Sequence, residues 1–402
     1  MKILYVASGI PVPGNLGGST HALEVARGLH ERGHDVHVVA VSAVKHAQHV
    51  VQRVDGNTNL AHLIRPAMQT IHGVSIYHID IPKPLSLLAT PTIMALARRL
   101  QPDVIMERYY NFAGAGMLAA RLLKRPTLLE VNALIVDPPS IRKRQIDDRI
   151  GAPMRRWATQ QCRWADAIVT PLHTTIPAEI ERTRIHETPW GADVERFMPR
   201  TTPHAADHVP TVIFIGSFRA WHGVAHGVQA ARLVLERGIN ARFVFVGHGP
   251  EYAHVNALAG NHPNIVFTGA QPYADMPRIL ADADIGIAPF DTSAHPALQA
   301  AGFFWSPLKV HEYMAMALPV ITSDITPLNQ IVRHDHEGLL VAEGDVTALA
   351  DAMIALIHDP ARAQRLGQAG RARVVSHYSW QQHCAELEHI MAQICPPHLP
   401  LS

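Results

Sequence analysis

The sequence predicts an α/β protein made of two parallel-sheet domains. Three observations carry that expectation. Short apolar runs alternate with helix-like stretches along most of the chain, the strand–helix–strand repeat of parallel sheets. The chain has 402 residues, enough for two or three cored domains, and its 48% hydrophobic residues can fold them without covalent staples. The stretch from Pro199 to Pro210, rich in Pro, Thr and His, divides the repeats into two series and reads as an interdomain linker.

Composition removes several function classes. Lys and Arg total 35 against 34 Asp and Glu, which argues against a nucleic-acid partner. The three cysteines, Cys162, Cys384 and Cys395, are few and odd in number, as expected in a reducing compartment. No apolar run reaches the length of a membrane span, and the N-terminal run is too short for a signal peptide. A cytoplasmic, soluble protein is the expectation. Of the 27 histidines, pairs such as His34 and His37, or His334 and His336, lack further ligands at a supporting spacing, so no metal site is expected.

In the first series, Lys2 to Ser8 reads as a strand, Gly9 to Gly18 as a long loop and Ser19 to Arg32 as a helix that Gly33 ends. His37 to Val41 is the next strand. The loop does not fit the dinucleotide glycine fingerprint, which needs a tight turn straight off the strand. Gly17 and Gly18 either form an ordinary flexible loop or let the backbone approach a bulky ligand at the helix N-terminus. Gln48 to Pro84 is irregular, with a weak strand from Val74 to His78. Thr90 to Leu100 is a helix, Asp103 to Glu107 a strand, Ala113 to Leu123 a helix and Pro126 to Val131 a strand. Ligands of α/β sheets gather at such strand ends. Glu107 with Arg108, and Glu130 with Asn132, are the polar groups there. They are ligand contacts, or else a loop ion pair and a turn. Asn132, just past its strand, is the better placed. Val136 to Arg163 carries Arg142, Lys143, Arg144, Arg149, Arg155 and Arg156. It could touch a membrane or an anionic lipid-linked acceptor, but Asp137, Asp147 and Asp148 dilute it, so it reads as a solvated helix face.

The second series opens with Thr211 to Gly216 and Ser-Phe-Arg-Ala-Trp-His-Gly. It continues through a helix from Val224 to Arg237, a strand from Arg242 to Val246 and a tight loop holding Gly249. Further on, Ser306-Pro307 reads as a helix start, serine capping and proline without an N–H to leave unpaired. That helix runs to about Leu318, before Pro319. Its first turn holds Lys309 rather than an acid, so the N–H groups of Leu308 and Lys309 and the lysine together suit a phosphate. Glu312, three residues on and on the same face, can accept from a sugar diol. A solvated Lys–Glu pair on a surface helix is the other reading. Asp282 and Asp284 form an Asp-x-Asp pair of the kind that holds a metal, but they precede a strand and read as structural.

Ser-Pro-Leu-Lys-x-x-Glu-Tyr-Met-Ala followed by Pro-Val-Ile resembles the nucleotide-sugar helix of retaining GT-B glycosyltransferases of the family 4 type. Glu-Arg-Tyr at 107–109, Leu-Glu-Val-Asn-Ala at 129–133 and Gly-Ala-Asp-Val-Glu-Arg-Phe at 191–197 are similar to N-terminal patterns of that group. The resemblance implies two facing Rossmann-like domains with a cleft between them: 1–197, with the C-terminal segment 380–402 crossing back onto it, and 198–379. It implies a hexosyltransferase without a cofactor, working in polysaccharide or glycoconjugate synthesis, and the charges of Lys309, Arg219 and the helix start lead to the expectation that transfer needs no metal. Its partners would be a nucleoside diphosphate sugar and a glycan or lipid-linked acceptor, with peripheral contact to the inner membrane face an option. Arg219, Lys309 and Glu312 would be catalytic, and Gly17, Gly18, Gly216, His222, Gly249 and Leu308 would bind the donor. His21, Glu107, Arg108 and Asn132 would line the acceptor or sugar side. Retention, with a donor phosphate oxygen taking the acceptor proton, is implied in the same way. Four positions depart from the pattern: Phe304 stands where a first glutamate is usual, Ser217 and His222 where Arg and Lys are usual, and Trp190, before Gly191, where Asn is usual. Two alternatives stay open: a nucleotide-sugar epimerase of the same fold, against which Phe304 speaks, and a non-catalytic partner subunit, which Phe304, Ser217 and His222 would support.

Overall fold

A computed structural model describes residues 1–14, 17–42, 59–202 and 207–395. Expectations for 48–58, 203–206 and 396–402 lie outside the described residues. The chain divides into two compact units. Unit 1 is Met1–Trp190, Phe304–Ser306 and Trp380–Ser402, and unit 2 is Gly191–Phe303 and Pro307–Ser379. The segment 191–197, expected in the first domain, clusters with the second. Arg371 explains why: its guanidinium donates to the carbonyls of Val194 and Phe197, and to Ala315, each at 2.8 Å.

Unit 1 holds an eight-stranded sheet in the order β3-β4-β2-β1-β5-β6-β7-β8. The strands are β1 (Lys2–Pro11), β2 (Asp35–Val41), β3 (Ala67–Ile71), β4 (Val74–His78), β5 (Val104–Tyr109), β6 (Thr127–Val131), β7 (Ala167–Thr170) and β8 (Ile185–Glu187). All pair in parallel except the β3–β4 edge. Helices cover both faces, so the central strands are apolar on both sides rather than alternating. Leu4, Val6 and Ile105 meet Ile93, Leu96 and Ala119 on one face, while Leu129 and Ile168 meet Ala158 and Cys162 on the other. The C-terminal helix Trp380–Ile394 packs on the first helix, Gly17–Glu31, where a Cβ on Gly28 would stand 2.6 Å from Cys384 Sγ.

Unit 2 holds a six-stranded parallel sheet in the order β11-β10-β9-β12-β13-β14. Its strands are β9 (Thr211–Ile215), β10 (Arg242–Val246), β11 (Ile265–Gly269), β12 (Ile285–Ala288), β13 (Val320–Ser323) and β14 (Gly338–Val341). Its core joins Phe214, Phe243, Phe245 and Ile287 to Val228 and Met353.

Several boundaries differ from the sequence reading. β1 runs on to Pro11 and the first helix starts at Gly17, so Gly17 and Gly18 are its opening turn rather than loop. β5 continues to Tyr109, which turns Glu107 and Arg108 from loop residues into buried strand residues. The Lys309 helix is Leu308–Ala315, shorter than expected. Ala317 at φ 55° ends it in the left-handed region, and the Leu318 N–H returns to the Tyr313 carbonyl at 2.9 Å. The Asp-x-Asp pair lies at strand starts: Asp284 Oδ2 accepts from the Thr211 N–H and lies against His208 Nε2, both at 2.7 Å.

Candidate functional site

In unit 2 the ends of β9 and β12 and the start of the Leu308–Ala315 helix meet around one amine. β9 runs into Gly216 at φ 134°, a backbone that favours glycine. A Cβ there would lie 3.0 Å from Lys309 Nζ and 3.6 Å from His222 Nδ1. Glycine therefore keeps open the space into which the lysine points.

Pro307 is the N-cap of this helix, and no side chain caps it. Ser306, expected as the cap, accepts instead from the Trp190 N–H at 3.0 Å. The first-turn N–H groups of Leu308 and Lys309 have no helical acceptor. Lys309 is only 7% exposed, yet Nζ has no hydrogen-bond partner among the described residues. Its charge lies 3.8 Å above the centre of the Phe214 ring and 5.1 Å from that of Phe290. The ring faces compensate part of the lost hydration. Burial still pushes its pKa down to about 7, with Glu312 pulling the other way.

Glu312, 4% exposed, is the second buried charge of this helix. Burial raises its carboxyl to about 7, opposed by a hydrogen bond with Tyr273 and by the charges of Lys309 and Arg196. The Arg196 guanidinium lies 5.0 Å from the Tyr273 ring centre. A buried carboxylate, a phenol and a buried amine thus line one helix face.

The loop after Gly216 adds two groups and a brace. His222 Nδ1 lies 2.8 Å from the Ser217 carbonyl, so Nδ1–H donates there and the neutral ring leaves a lone pair on Nε2. Burial, then the charge of Lys309, holds its pKa well below normal. This refines the sequence expectation: Nε2 donates to a ligand only once protonated. Arg219 is exposed, with its guanidinium 5.1 Å from the Trp221 ring centre. Gly249 has a packing role, since a Cβ on it would stand 2.5 Å from the Phe218 carbonyl oxygen.

In unit 1 the candidates His21, Arg108 and Asn132 converge on Glu130 rather than on open space. Glu130 meets His21 Nε2 at 2.6 Å, the Tyr5 hydroxyl at 2.5 Å, and also the Arg108 guanidinium and the Asn132 amide. Burial alone would raise its carboxyl, but Arg108 and His21 hold it well below the usual range. Burial lowers His21 to about 3, so the ring is neutral. Trp190 covers the cluster: Nε1–H donates to Asn132 Oδ1 at 2.9 Å, and its ring centre lies 4.3 Å from that of His21. Glu107 takes no part. It is fully buried and accepts from the Gly114 and Gly116 N–H groups at 3.0 and 2.8 Å, serving the start of helix Ala115–Leu123. Its acceptor-side assignment is corrected to a structural one. A Cβ on Gly18 would meet Arg108 and Ile10 atoms at 3.8 Å, ordinary van der Waals contact.

Tyr5 and Tyr273 carry no signal of their role in the sequence. Tyr5 lies inside an apolar strand and Tyr273 in a polar turn. Trp190 stands where the related motif has Asn, the one signal that pointed to it. The chemistry on offer in unit 2 is an anion seat with a buried cation, next to a carboxylate able to accept from hydroxyls.

Comparison with known proteins gives matches in both halves. Residues 16–196 match the family described as Glycosyltransferase Family 4, and residues 209–359 match Glycosyl transferases group 1. The amylovoran biosynthesis glycosyltransferase AmsK of Erwinia amylovora is 23% identical over 309 residues, covering 75% of this chain and 72% of that one. The alpha-maltose-1-phosphate synthase of Mycobacterium tuberculosis is 27% identical over 346 residues, covering 77% and 84%. Among solved structures, Anabaena Alr3699/HepE in complex with UDP and glucose superposes with a TM-score of 0.68 at 16% identity, over 98% of this chain and all of that one. That likeness shows the fold.

Proposed function

With glycosyltransferase families matching both of its halves, the chain belongs to the GT-B glycosyltransferases, and from that premise we propose that it moves a hexose from a nucleoside diphosphate sugar to a glycan or lipid-linked hydroxyl, with retention of configuration. The observation that carries this reading is the unpartnered, buried amine of Lys309 at an uncapped helix start, one turn before Glu312. A leaving diphosphate gains negative charge as the glycosidic bond breaks, and a preorganised cation in a dry site stabilises that charge. Gly216 gives the phosphates room, Leu308 and Lys309 N–H groups receive them, and Glu312 accepts from the ribose diol. UDP is the nucleotide bound in the HepE structure, so a uridine donor is the first to try.

The test is a panel of sugar nucleotides incubated with the protein. A transferase releases free sugar slowly and accelerates with acceptor, and the anomer of the product reads retention. Interconversion of donors would mean an epimerase. No turnover with intact donor binding would point to a partner subunit, a reading that Phe304, Ser217 and His222 at motif positions would support.

Because Lys309 and the helix start supply the charge, catalysis is proposed to need no divalent metal. Activity is expected to persist with excess EDTA; complete loss, restored by manganese, would overturn this.

Arg219→Ala is expected to weaken nucleoside diphosphate binding by about five- to ten-fold and to leave nucleoside binding unchanged. An exposed guanidinium on phosphate is worth less than a buried one. Equal weakening of both ligands in calorimetry would remove Arg219 from the phosphate site.

A further inference from the structure

We propose that Arg196 and Tyr273 are positioning residues of the donor site: acting through Glu312, they fix its carboxylate and present it, as an acceptor, to the ribose diol. The proposal rests on the reading of Glu312 as the ribose ligand and assigns what makes Glu312 able to serve as one.

The first observation is an assembly built on one ring. Tyr273 opens the 3-10 turn Tyr273–Asp275. The Arg196 guanidinium lies 5.0 Å from its ring centre, and the Phe197 ring lies 5.7 Å away, tilted by 53°. Phe197 is fully buried and Arg196 half-buried. Two consecutive residues thus give one phenol a buried aromatic partner and a cation on its ring. That phenol is hydrogen-bonded to Glu312. An ionised carboxylate offers roughly four acceptor sites. Tyr273 takes one, which fixes the group and leaves enough for both hydroxyls of a diol.

The second observation is what holds Arg196 in place. The Asp193 carboxylate accepts from the N–H groups of Glu195 and Arg196 at 3.2 and 3.0 Å, and the Phe197 N–H donates to the Asp193 carbonyl at 2.8 Å. These bonds close 193–197 into one turn. Arg371 donates to the carbonyls of Val194 and Phe197 and to that of Ala315, the last residue of Glu312's helix. One guanidinium therefore ties the turn bearing Arg196 to the helix bearing Glu312.

The other titratable groups nearby are neutral or engaged elsewhere. On the same helix, burial lowers His311 to about 3 and holds the Tyr313 hydroxyl well above its ordinary range. His311 stacks on Tyr378 with ring centres 5.1 Å apart. Helix Pro360–His377 brings Gly370 against Met314 and spends Arg371 on neutral carbonyls. The forces that oppose burial at Glu312 are the Tyr273 hydrogen bond and the charges of Lys309 and Arg196. Lys309 faces the phosphate seat and acts on every nucleoside diphosphate alike. Tyr273 and Arg196 act at the ribose end.

The test is the ratio of UDP to 2′-deoxy-UDP affinity, measured by calorimetry across neutral pH in the full chain. The ratio cancels the lysine, which both ligands share. In the wild type it should fall as pH drops through about 7, where the carboxylate takes up its proton. Arg196→Met removes a cation that favours the ionised form, so the midpoint should move upward by about half a pH unit or more, lowering the ratio at neutral pH about two-fold. Tyr273→Phe keeps the ring under Arg196, loses the hydroxyl and should move the midpoint the same way. Arg196→Lys keeps the charge and should return most of the shift. Thermal melts check the fold of each variant. A purely structural role, or direct contact of Arg196 with the phosphates, would weaken both ligands together and leave the midpoint in place; that result would overturn the proposal. A wild type without ribose preference at any pH would remove Glu312 from the ribose and this proposal with it. A wild-type preference that Arg196→Met and Tyr273→Phe leave unmoved would overturn this proposal alone.

Discussion

Replacing Lys309 with methionine is expected to weaken nucleoside diphosphate binding by about a hundred-fold without lowering the thermal midpoint. The amine is buried, unpartnered and 3.8 Å from the centre of the Phe214 ring. Methionine has similar length and packs well against aromatic faces. A lysine whose pKa in the fold is about 7, against an ordinary 10.5, binds its proton more weakly folded than unfolded. Between those values the unfolded chain carries more protons, so the lysine works against folding, and the deficit is fully present below pH 7. Removing it should hold or raise the midpoint. Bound diphosphate favours the charged amine, so binding by the wild type should take up a proton near and above pH 7. Affinity should fall as pH rises through that range. Calorimetry in buffers of different ionisation enthalpy counts the proton, and the methionine variant should show no such uptake. A variant that binds diphosphate normally, or a wild type without proton uptake, would move the phosphates away from this helix.

Glu312 bears on the other half of the donor. Wild-type protein should prefer a ribonucleotide donor over its 2′-deoxy counterpart by about ten-fold or more, since leaving one polar partner unpaired in a closed site costs roughly 1–3 kcal/mol. Glu312→Ala should lower ribonucleotide affinity and erase most of that preference. The carboxyl is raised to about 7 by burial, and its ionised form is the diol acceptor. The ribose preference should therefore decline as pH falls below 7, the opposite direction from the lysine effect. The fold should survive, because Glu312 gives up only its bond with Tyr273 and its attraction to Lys309 and Arg196. Donor affinities for both sugars in both proteins decide it. If Glu312→Ala keeps the ribose preference, the diol lies elsewhere.

Much of this was legible in the sequence where a residue's meaning is local. Thr90–Leu100 is read with its observed bounds, because apolar period and flanking breakers fix such a helix. Lys309 in a first turn stood out because an acid is the usual occupant. What was illegible depends on partners far along the chain. Ser306 looks like a cap, and only the fold brings the Trp190 N–H to its hydroxyl. Tyr5 and Glu130 are 125 residues apart, so nothing local marks their bond. Glu107 and Glu130 look alike as acids on neighbouring strands. One serves the start of a helix and the other gathers His21, Arg108 and Asn132, and that difference lies wholly in what surrounds them. The β3 edge strand was missed because Ala67–Ile71 is largely exposed and carries no apolar alternation.

The helix Trp380–Ile394 also sets the order in which the protein can be completed as it leaves the ribosome. Domains commonly fold as they emerge, the N-terminal one first. Here the first helix must wait: Gly28 is shaped for Cys384, Arg32 pairs with Glu388, and His21 packs against Trp380 and His383. Unit 2 is synthesised in full before any of those partners exist. The part of the chain made first is therefore the part finished last, and a chain that stops just before Trp380 holds all of unit 2 together with a first helix whose packing face is still open to water.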